Sequence, residues 1–168
     1  MSKGHETEAI LRHWVAAVPD DRLAHLVRDA ARAFVRALSA RLAEQGVSFG
    51  HWAFLRVLWE RDGLTQKELS DEVGVMEPTT FAAVRAMERL GYVRREQREG
   101  NRKKVHVVLT PGGRALKRRL VPLAERVNEI GVEGVDPAHI ALVRRVLVAI
   151  IANLAADEAR RVEDAARS

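Results

Sequence analysis

Positive charge is concentrated in the segment GYVRREQREGNRKKVHVVLT, residues 91–110. Its apolar residues predict two strands, at 92–96 and 105–109, joined by a loop that contains Gly100-Asn101. Only Glu96 and Glu99 oppose the six cations, which are Arg94, Arg95, Arg98, Arg102, Lys103 and Lys104. Guanidinium and ammonium groups neutralise phosphate charges, so this arrangement is suited to binding a nucleic-acid backbone. Taken alone, it is equally typical of a solvated sheet edge.

Two short helices joined by a glycine turn are predicted directly before this hairpin. Thr65 and Glu68 have the spacing of a capping box, so we expect the first helix to begin at Thr65. Gly74 ends that helix because glycine accepts a turn with positive φ, and the small Ser70 lets a second helix, at about 77–90, approach closely. This spacing is typical of a helix-turn-helix, whose second helix enters the major groove of DNA.

The second helix of the pair has two distinct faces. The inward face is expected to consist of Thr80, Ala83, Val84 and Met87. The outward face is expected to consist of Pro78, Thr79, Ala82, Arg85 and Arg89. Small, polar and basic side chains suit a helix that reads base edges. A hairpin that follows such a helix is a wing, whose cations lie along the backbone or in a narrow minor groove, and this context disfavours the solvated edge.

Further helices are predicted on either side of these elements. Their expected ranges are 7–18, 22–45, 49–61, 111 to 127 or 130, and from Pro137 onward, with a charged tail at 157–168 that is expected to fray. The helices 22–45 and 137–155 each carry a long apolar face at helical spacing. A single small winged module would leave both faces uncovered.

Helix 49–61, the capping box, EPTTFAAVRAMERLGYV, the basic wing and VHVVLTPGGRAL resemble the MarR family of bacterial transcription regulators. The resemblance covers about residues 22–165 and is most specific over 64–116. It implies a mainly α fold: a winged helix-turn-helix with long N- and C-terminal dimerisation helices and a two-stranded β wing. The implied domains are an N-terminal extension and dimerisation helix at 1–47, a DNA-binding domain at 48–110, and C-terminal dimerisation helices at 111–168.

The resemblance also implies a DNA-binding face. Thr79 stands at the family's threonine position near the start of the recognition helix, and Arg102 and Lys103 stand at its wing-tip basic pair. Asn101 departs from the usual aspartate that braces the tip arginine. Phe81 departs from a small polar residue, and it either contacts a thymine methyl or, as we favour, packs against helix 65–73. The residues expected to bind DNA are Thr65, Gln66, Glu77, Pro78, Thr79, Thr80, Ala82, Arg85, Arg89, Arg94, Arg98, Asn101, Arg102, Lys103 and Lys104.

In proteins that resemble this one, small aromatic or anionic molecules bind in a crevice between the dimerisation helices and the winged module. Here the crevice would be edged by helices 22–45 and 49–61 and by the start of helix 111–130, with Trp14 over its mouth. The candidate ligand-binding residues are Phe34, Arg41, His51, Trp52, Phe54 and Arg56. Aromatic residues at these positions are almost equally well explained as core.

Other kinds of chemistry are disfavoured. The chain has no cysteine, which excludes disulfides and thiolate metal sites, and its six histidines form no close ligand pair. Because no serine lies in a nucleophile elbow and no glycine-rich phosphate loop is present, we expect no enzyme activity, no cofactor and no metal. The net charge of +5 favours an acidic partner. With no signal peptide and no apolar run of about 18 residues, a cytoplasmic protein without a membrane partner is expected.

The sequence therefore predicts a sequence-specific DNA-binding transcription regulator that acts as a repressor. It would bind double-stranded DNA as a homodimer on a pseudo-palindromic operator, with DNA release modulated by a small aromatic or anionic effector. One alternative is a constitutive architectural DNA-binding protein without an effector. A second alternative, a winged-helix adaptor between proteins, is disfavoured by the basic outward face.

Overall fold

The computed structural model of the protein describes residues 4–16, 22–97 and 104–167. Within these ranges the mainly α fold is confirmed, with seven helices and three strands: α1 (Gly4–Ala16), α2 (Leu23–Glu44), α3 (Phe49–Glu60), β1 (Leu64–Thr65), α4 (Gln66–Val73), α5 (Glu77–Arg89), β2 (Val93–Gln97), β3 (Val105–Leu109), α6 (Pro111–Gly131) and α7 (Pro137–Arg167). The chain divides into two compact units, residues 1–128 and residues 129–168.

The helices begin and end where local capping groups satisfy their backbone. The Thr65 hydroxyl accepts from the backbone N–H of Glu68 at 3.2 Å, and the Glu68 carboxylate accepts from the backbone N–H of Thr65 at 2.8 Å. The predicted capping box is thus confirmed. Gly74 ends α4 in the left-handed conformation, at φ 74°. At the start of α7, Asp136 Oδ1 accepts from the backbone N–H of Ala138 at 2.7 Å, as the predicted cap requires.

The predicted two-stranded wing, β2 and β3, gains a third strand at its base. The antiparallel sheet has the order β1-β3-β2, with Leu64 opposite Val107 and Val93 opposite Leu109. The third strand, β1, was missed from the sequence because its two residues are too few to show the alternation that marks a strand. It runs directly into α4, so the sheet fixes the position of the helix-turn-helix as well as that of the wing.

The core of the first unit is formed by the inward faces of its helices and of the sheet. Periodic apolar positions become fully buried, as the sequence pattern predicts. Side chains with at most 2% exposure include Leu42, Leu55, Leu58, Leu69, Val84, Met87, Val93, Val107, Leu109 and Leu120. Burying one such side chain stabilises the fold by about 1.5–3 kcal/mol.

The second unit consists mainly of α7, none of whose residues is buried. Its exposed apolar side chains include Leu142, Val143, Val146, Val148, Ile151 and Leu154. By length and composition, α7 is the one helix within the described ranges that could cross a membrane, since its most apolar stretch has a mean hydropathy of 1.7. The sequence expectation concerned an unbroken apolar run of about 18 residues, which α7 does not contain. Arg144 and Arg145 interrupt the apolar run yet leave its average high.

The charged C-terminal tail was expected to fray, but α7 continues as a helix to Arg167. Alanine, glutamate and arginine have high helix propensity, which outweighs the density of charge in this stretch. Arg160 and Asp157 also form an ion pair at 3.5 Å along the helix surface.

The start of α6 lies against the turn between α5 and β2. Trp59 Nε1 donates to the carbonyl oxygen of Gly113 at 2.9 Å, and the Thr110 hydroxyl accepts from the Gly113 N–H at 3.0 Å. A Cβ atom at Gly113 would lie only 1.9 Å from the carbonyl oxygen of Tyr92. Further along α6, Pro122 lies inside the helix, where its nitrogen cannot donate a hydrogen bond.

We expect Gly113→Ala to lower the free energy of unfolding by about 2 kcal/mol, because the added Cβ would overlap the backbone carbonyl of Tyr92 and force the backbone to shift. Urea denaturation measures the loss. Gly112→Ala is the matched control: its Cβ would lie 3.4 Å from the nearest atom, so a change below about 1 kcal/mol is expected. Equal stabilities of the two variants would contradict the close approach.

Candidate nucleic-acid interface

The two helices of the helix-turn-helix are joined by a buried pair of hydroxyl groups. The Ser70 hydroxyl lies 2.8 Å from the Thr80 hydroxyl and 2.9 Å from the carbonyl oxygen of Gln66. Because a serine hydroxyl has one proton, Ser70 donates to the carbonyl and accepts from Thr80. Thr80 has 0% exposure. This confirms its place on the inward face and corrects its inclusion among the DNA-facing residues, because its hydroxyl is enclosed between α4 and α5.

The remaining outward positions of α5 all lie on its exposed side. They are Glu77, Pro78, Thr79, Ala82, Arg85 and Arg89. Val84 and Met87, on the opposite side, are fully buried. Since the inward side is fixed by packing, the outward side has one defined orientation and can serve as a reading surface for base edges.

Phe81 is exposed rather than buried against α4, the alternative favoured from the sequence. Its side chain is 45% exposed and belongs to the outward side of α5. The guanidinium carbon of Arg85 lies 5.0 Å from the centre of its ring, which is a cation–π contact. The exposed side of α5 therefore carries an aromatic and cationic pair, with Phe81 at its margin about a quarter turn from the buried stripe, in addition to the small and polar residues.

Two of the wing cations already have carboxylate partners at the base of the hairpin. Arg94 pairs with Glu96 at 2.5 Å, and Arg95 pairs with Glu88 of α5 at 2.9 Å. The hydrogen bond from Arg95 is the main cause that holds the pKa of Glu88 below its ordinary value. The base of the wing is thus charge-compensated. The expected tip residues Arg98, Asn101, Arg102 and Lys103 lie outside the described residues.

A hollow of about 410 Å³ lies between the start of α4 and the base of the wing. It brings together three of the predicted DNA-binding residues, Thr65, Gln66 and Lys104. Gln66 Nε2 is buried with no hydrogen-bond partner among the described residues. The hydrogen bond from the Thr65 hydroxyl lowers the pKa of Glu68, so that carboxylate stays ionised and engaged in the cap.

A second cavity of the first unit, about 390 Å³, lies between α2, α3 and α6. Of the predicted ligand residues, Phe34, Trp52 and Arg56 line it. The cavity is closed by the second half of α6, whereas the sequence predicted that the start of this helix would edge it. Sequence reasoning missed the other lining residues, most of which are small or aliphatic and are brought to the cavity only by the tertiary fold: Val35, Leu38, Phe49, Ala53, Ala124, Val127 and Asn128.

The other three predicted ligand residues do not line this cavity. Arg41 Nη1 donates to the carbonyl oxygen of Ala37 at 2.9 Å. Phe54 is 3% exposed and belongs to the core. His51 is half-buried, and this burial lowers the pKa of its imidazole. Helical spacing explains the separation, because residues 52, 53 and 56 share one face of α3 and residues 51 and 54 lie on another.

Trp14 is also absent from the lining of the cavity between α2, α3 and α6, contrary to the expectation that it covers the mouth. Its indole N–H instead donates to Asp29 of α2 at 3.2 Å, and this hydrogen bond is the main cause that lowers the pKa of Asp29. At the other end of α1, Glu6 pairs with Arg36 at 3.1 Å. These polar contacts hold α1 along a different side of α2.

The histidines, aspartates and glutamates within residues 4–16, 22–97 and 104–167 form no group of three that could hold a metal ion. His106 has a structural contact, since its Nδ1 lies 2.9 Å from the carbonyl oxygen of Gly63. The candidate nucleic-acid interface consists of the outward side of α5, the hollow beside α4 and the wing.

A helix-turn-helix with an outward basic and polar face, followed directly by a basic β-hairpin, defines a winged helix-turn-helix protein of the DNA-binding class. The family model for the MarR family matches residues 47–105. The chain belongs to the MarR family of transcription regulators. The predicted fold class, including the wing, is thereby confirmed.

Individual relatives agree with this assignment. The chain is 33% identical over 109 residues, or 65% of its length, to the HTH-type transcriptional regulator TtmR of Methylorubrum extorquens (strain PA1). The match spans 56% of the length of TtmR. The chain is 34% identical in sequence to transcriptional regulator PA3341, whose crystal structure it matches with a TM-score of 0.69. The alignment covers 78% of this chain and 96% of that chain.

Two further solved structures share the fold at lower identity. A MarR family regulator from Listeria monocytogenes, complexed with 26mer DNA, is 22% identical with a TM-score of 0.72, covering 83% of this chain and 92% of that chain. BpsR from Bordetella bronchiseptica is 21% identical with a TM-score of 0.70, covering 77% of this chain and 98% of that chain.

Proposed function

We propose that the protein is a sequence-specific DNA-binding transcription regulator that acts in the cytoplasm as a homodimer. The observation that carries the proposal is the outward side of α5, fixed from behind by the Ser70–Thr80 contact and flanked by the wing. Among the residues expected to bind DNA, Thr79, Arg85 and Arg89 offer donors and charge for base edges and phosphates. The DNA in the Listeria structure supports the same use of the fold.

The homodimer is proposed because two helices present apolar faces that the chain itself does not cover. On α2, the exposed apolar residues include Leu23, Leu26, Val27 and Phe34. On α7, Leu154 is 65% exposed and Ile151 is 67% exposed. Several large exposed apolar side chains on one helix are typical of an interface. A second copy of the chain is the partner that the family fold favours, and it also accounts for the apolar α7 without a membrane.

The division into domains at residues 47 and 110 remains a prediction.

We expect Leu154→Glu to convert a dimer into a folded monomer, because a carboxylate buried at an apolar interface without a partner costs several kcal/mol. Light scattering measures the mass, and circular dichroism reports the helix content. Ala156→Glu is the matched control, since residue 156 lies on the other side of the helix and the dimer should persist. An unsubstituted protein that is monomeric at micromolar concentration would rule out the homodimer.

Binding to DNA is tested through the wing. We expect Arg102→Ala and Lys103→Ala each to flatten the plot of log affinity against log salt concentration by about one unit per subunit, because each removes a phosphate contact. Fluorescence anisotropy with a labelled duplex measures the slope. Lys117→Ala removes an exposed cation of α6 that is not among the residues expected to bind DNA, and should leave the slope unchanged. Wing variants that keep the original slope would make the hairpin a solvated edge.

Regulation by a ligand is proposed for the cavity between α2, α3 and α6. Its lining combines the rings of Phe34, Phe49 and Trp52 with the cation of Arg56, a combination suited to an aromatic acid. In BpsR, DNA binding is regulated by 6-hydroxynicotinic acid. We propose that such a ligand releases the present protein from its operator and that the protein represses transcription. A hundredfold change in DNA affinity requires about 2.7 kcal/mol of coupling.

A panel of aromatic carboxylic acids, with 6-hydroxynicotinic acid among them, tests this site. We expect at least one compound to raise the melting temperature and weaken DNA binding, and Arg56→Gln to reduce its affinity by roughly tenfold through loss of the charge pair. Arg41→Gln is the control, because Arg41 does not line the cavity. If no compound changes both quantities, the constitutive architectural DNA-binding protein becomes the better account. Trp52 is only 7% exposed, so a core role would then suffice for it.

A further inference from the structure

Phe81 is a large apolar side chain at a place where the core does not need it. It is 45% exposed, whereas the inward residues Thr80, Val84 and Met87 of the same helix are 0% exposed. A single exposed apolar residue is ordinary on a protein surface. Phe81 differs because its ring contacts Arg85 on the exposed side of α5, so a partner that α5 binds through Arg85 also meets the ring.

The Phe81 ring is also the contact of Arg85. The two residues are four apart on the helix, so their side chains are neighbours, and the guanidinium carbon lies 5.0 Å from the ring centre. A guanidinium that stacks on a ring uses its face and leaves its N–H edge available for hydrogen bonds. Contact with the ring restricts the long arginine side chain before any DNA is bound. Less conformational entropy is then lost on binding.

We propose that Phe81 and Arg85 act as one base-reading unit, in which Arg85 donates to O6 and N7 of a guanine while the Phe81 ring contacts the C5-methyl group of a neighbouring thymine. The inference rests on the proposed function and adds the identity of a preferred base step to it. Phe81 is then a specificity-determining residue, and it also positions Arg85.

The chemistry of the major groove favours these two partners. A guanidinium matches the paired acceptors on guanine better than the pattern on any other base, and the thymine methyl is the apolar group that a ring can cover there. Successive base pairs are stacked about 3.4 Å apart. Groups whose centres are 5.0 Å apart therefore address adjacent base pairs rather than distant ones.

The test begins with duplexes selected from a random pool by the full-length protein. Comparison with Arg85→Ala identifies the guanine that Arg85 reads, because only that preference is lost. The selected duplex is then prepared with 7-deazaguanine at that position, which removes N7. A second version carries deoxyuridine in place of each neighbouring thymine in turn, which removes only the methyl group.

For the unsubstituted protein, we expect 7-deazaguanine to weaken binding roughly tenfold and one deoxyuridine to weaken it about fourfold. Phe81→Ala should bind the thymine and deoxyuridine duplexes equally and prefer guanine less strongly. Phe81→Tyr keeps the ring and should restore both preferences. Leu90→Ala truncates an apolar side chain that is 50% exposed at the end of α5, and it should leave both preferences intact. Melting temperatures verify that every variant is folded.

The outcomes separate the inference from the proposed function. If the unsubstituted protein binds no duplex at low salt, the proposed function fails, and the base-reading unit fails with it. If it binds DNA but ignores the methyl group at every position beside the guanine, the inference alone is overturned. The inference is also overturned if Phe81→Ala keeps the full preferences for thymine and guanine.

Discussion

The hydrogen bond between the Ser70 and Thr80 hydroxyls sets the relation between α4 and α5, and the rest of the DNA-facing surface depends on it. Both residues are almost fully buried, so neither hydroxyl has water as an alternative partner. Ser70 also reaches the Gln66 carbonyl within α4, whereas Thr80 depends on Ser70. An unsatisfied Thr80 hydroxyl would cost about 1–3 kcal/mol, which favours the crossing geometry in which the two hydroxyls meet. With the inward side of α5 fixed in this way, its outward side is fixed as well.

Local signals explain why much of this fold is predictable from the sequence. The capping box at Thr65 and Glu68, the glycine stop at Gly74 and the aspartate cap at Asp136 each act within a few residues, and the structure has all three. Their energies are local, so reading them does not require knowledge of the tertiary fold. The inward stripe of α5 follows in the same way from helical periodicity.

Features that depend on distant residues escaped prediction. The strand β1 exists because β3 pairs with it, and the second half of α6 closes the cavity through side chains that only the tertiary fold brings there. Trp14 is held by Asp29, fifteen residues away, rather than over the cavity. For Phe81 the sequence offered two alternatives, and only the contact with Arg85 shows the ring on the outward side. In each case the deciding partner belongs to another turn or element of the fold.

A hydrogen bond joins the end of α3 to the start of α6. Trp59 holds Gly113 at that end, and Asp62 adds an ion pair to Arg114 at 2.7 Å and a hydrogen bond from the backbone of Leu109 at 2.9 Å. The cavity residues of α6 begin eleven residues further on, about 16 Å along the helix. Pro122, which weakens the helix ladder, lies between the two ends. The cavity therefore lies at the end of α3 and α6 remote from these contacts. β3 is joined to the same place through Leu109, so the end at which α3 and α6 are fastened is also the root of the wing.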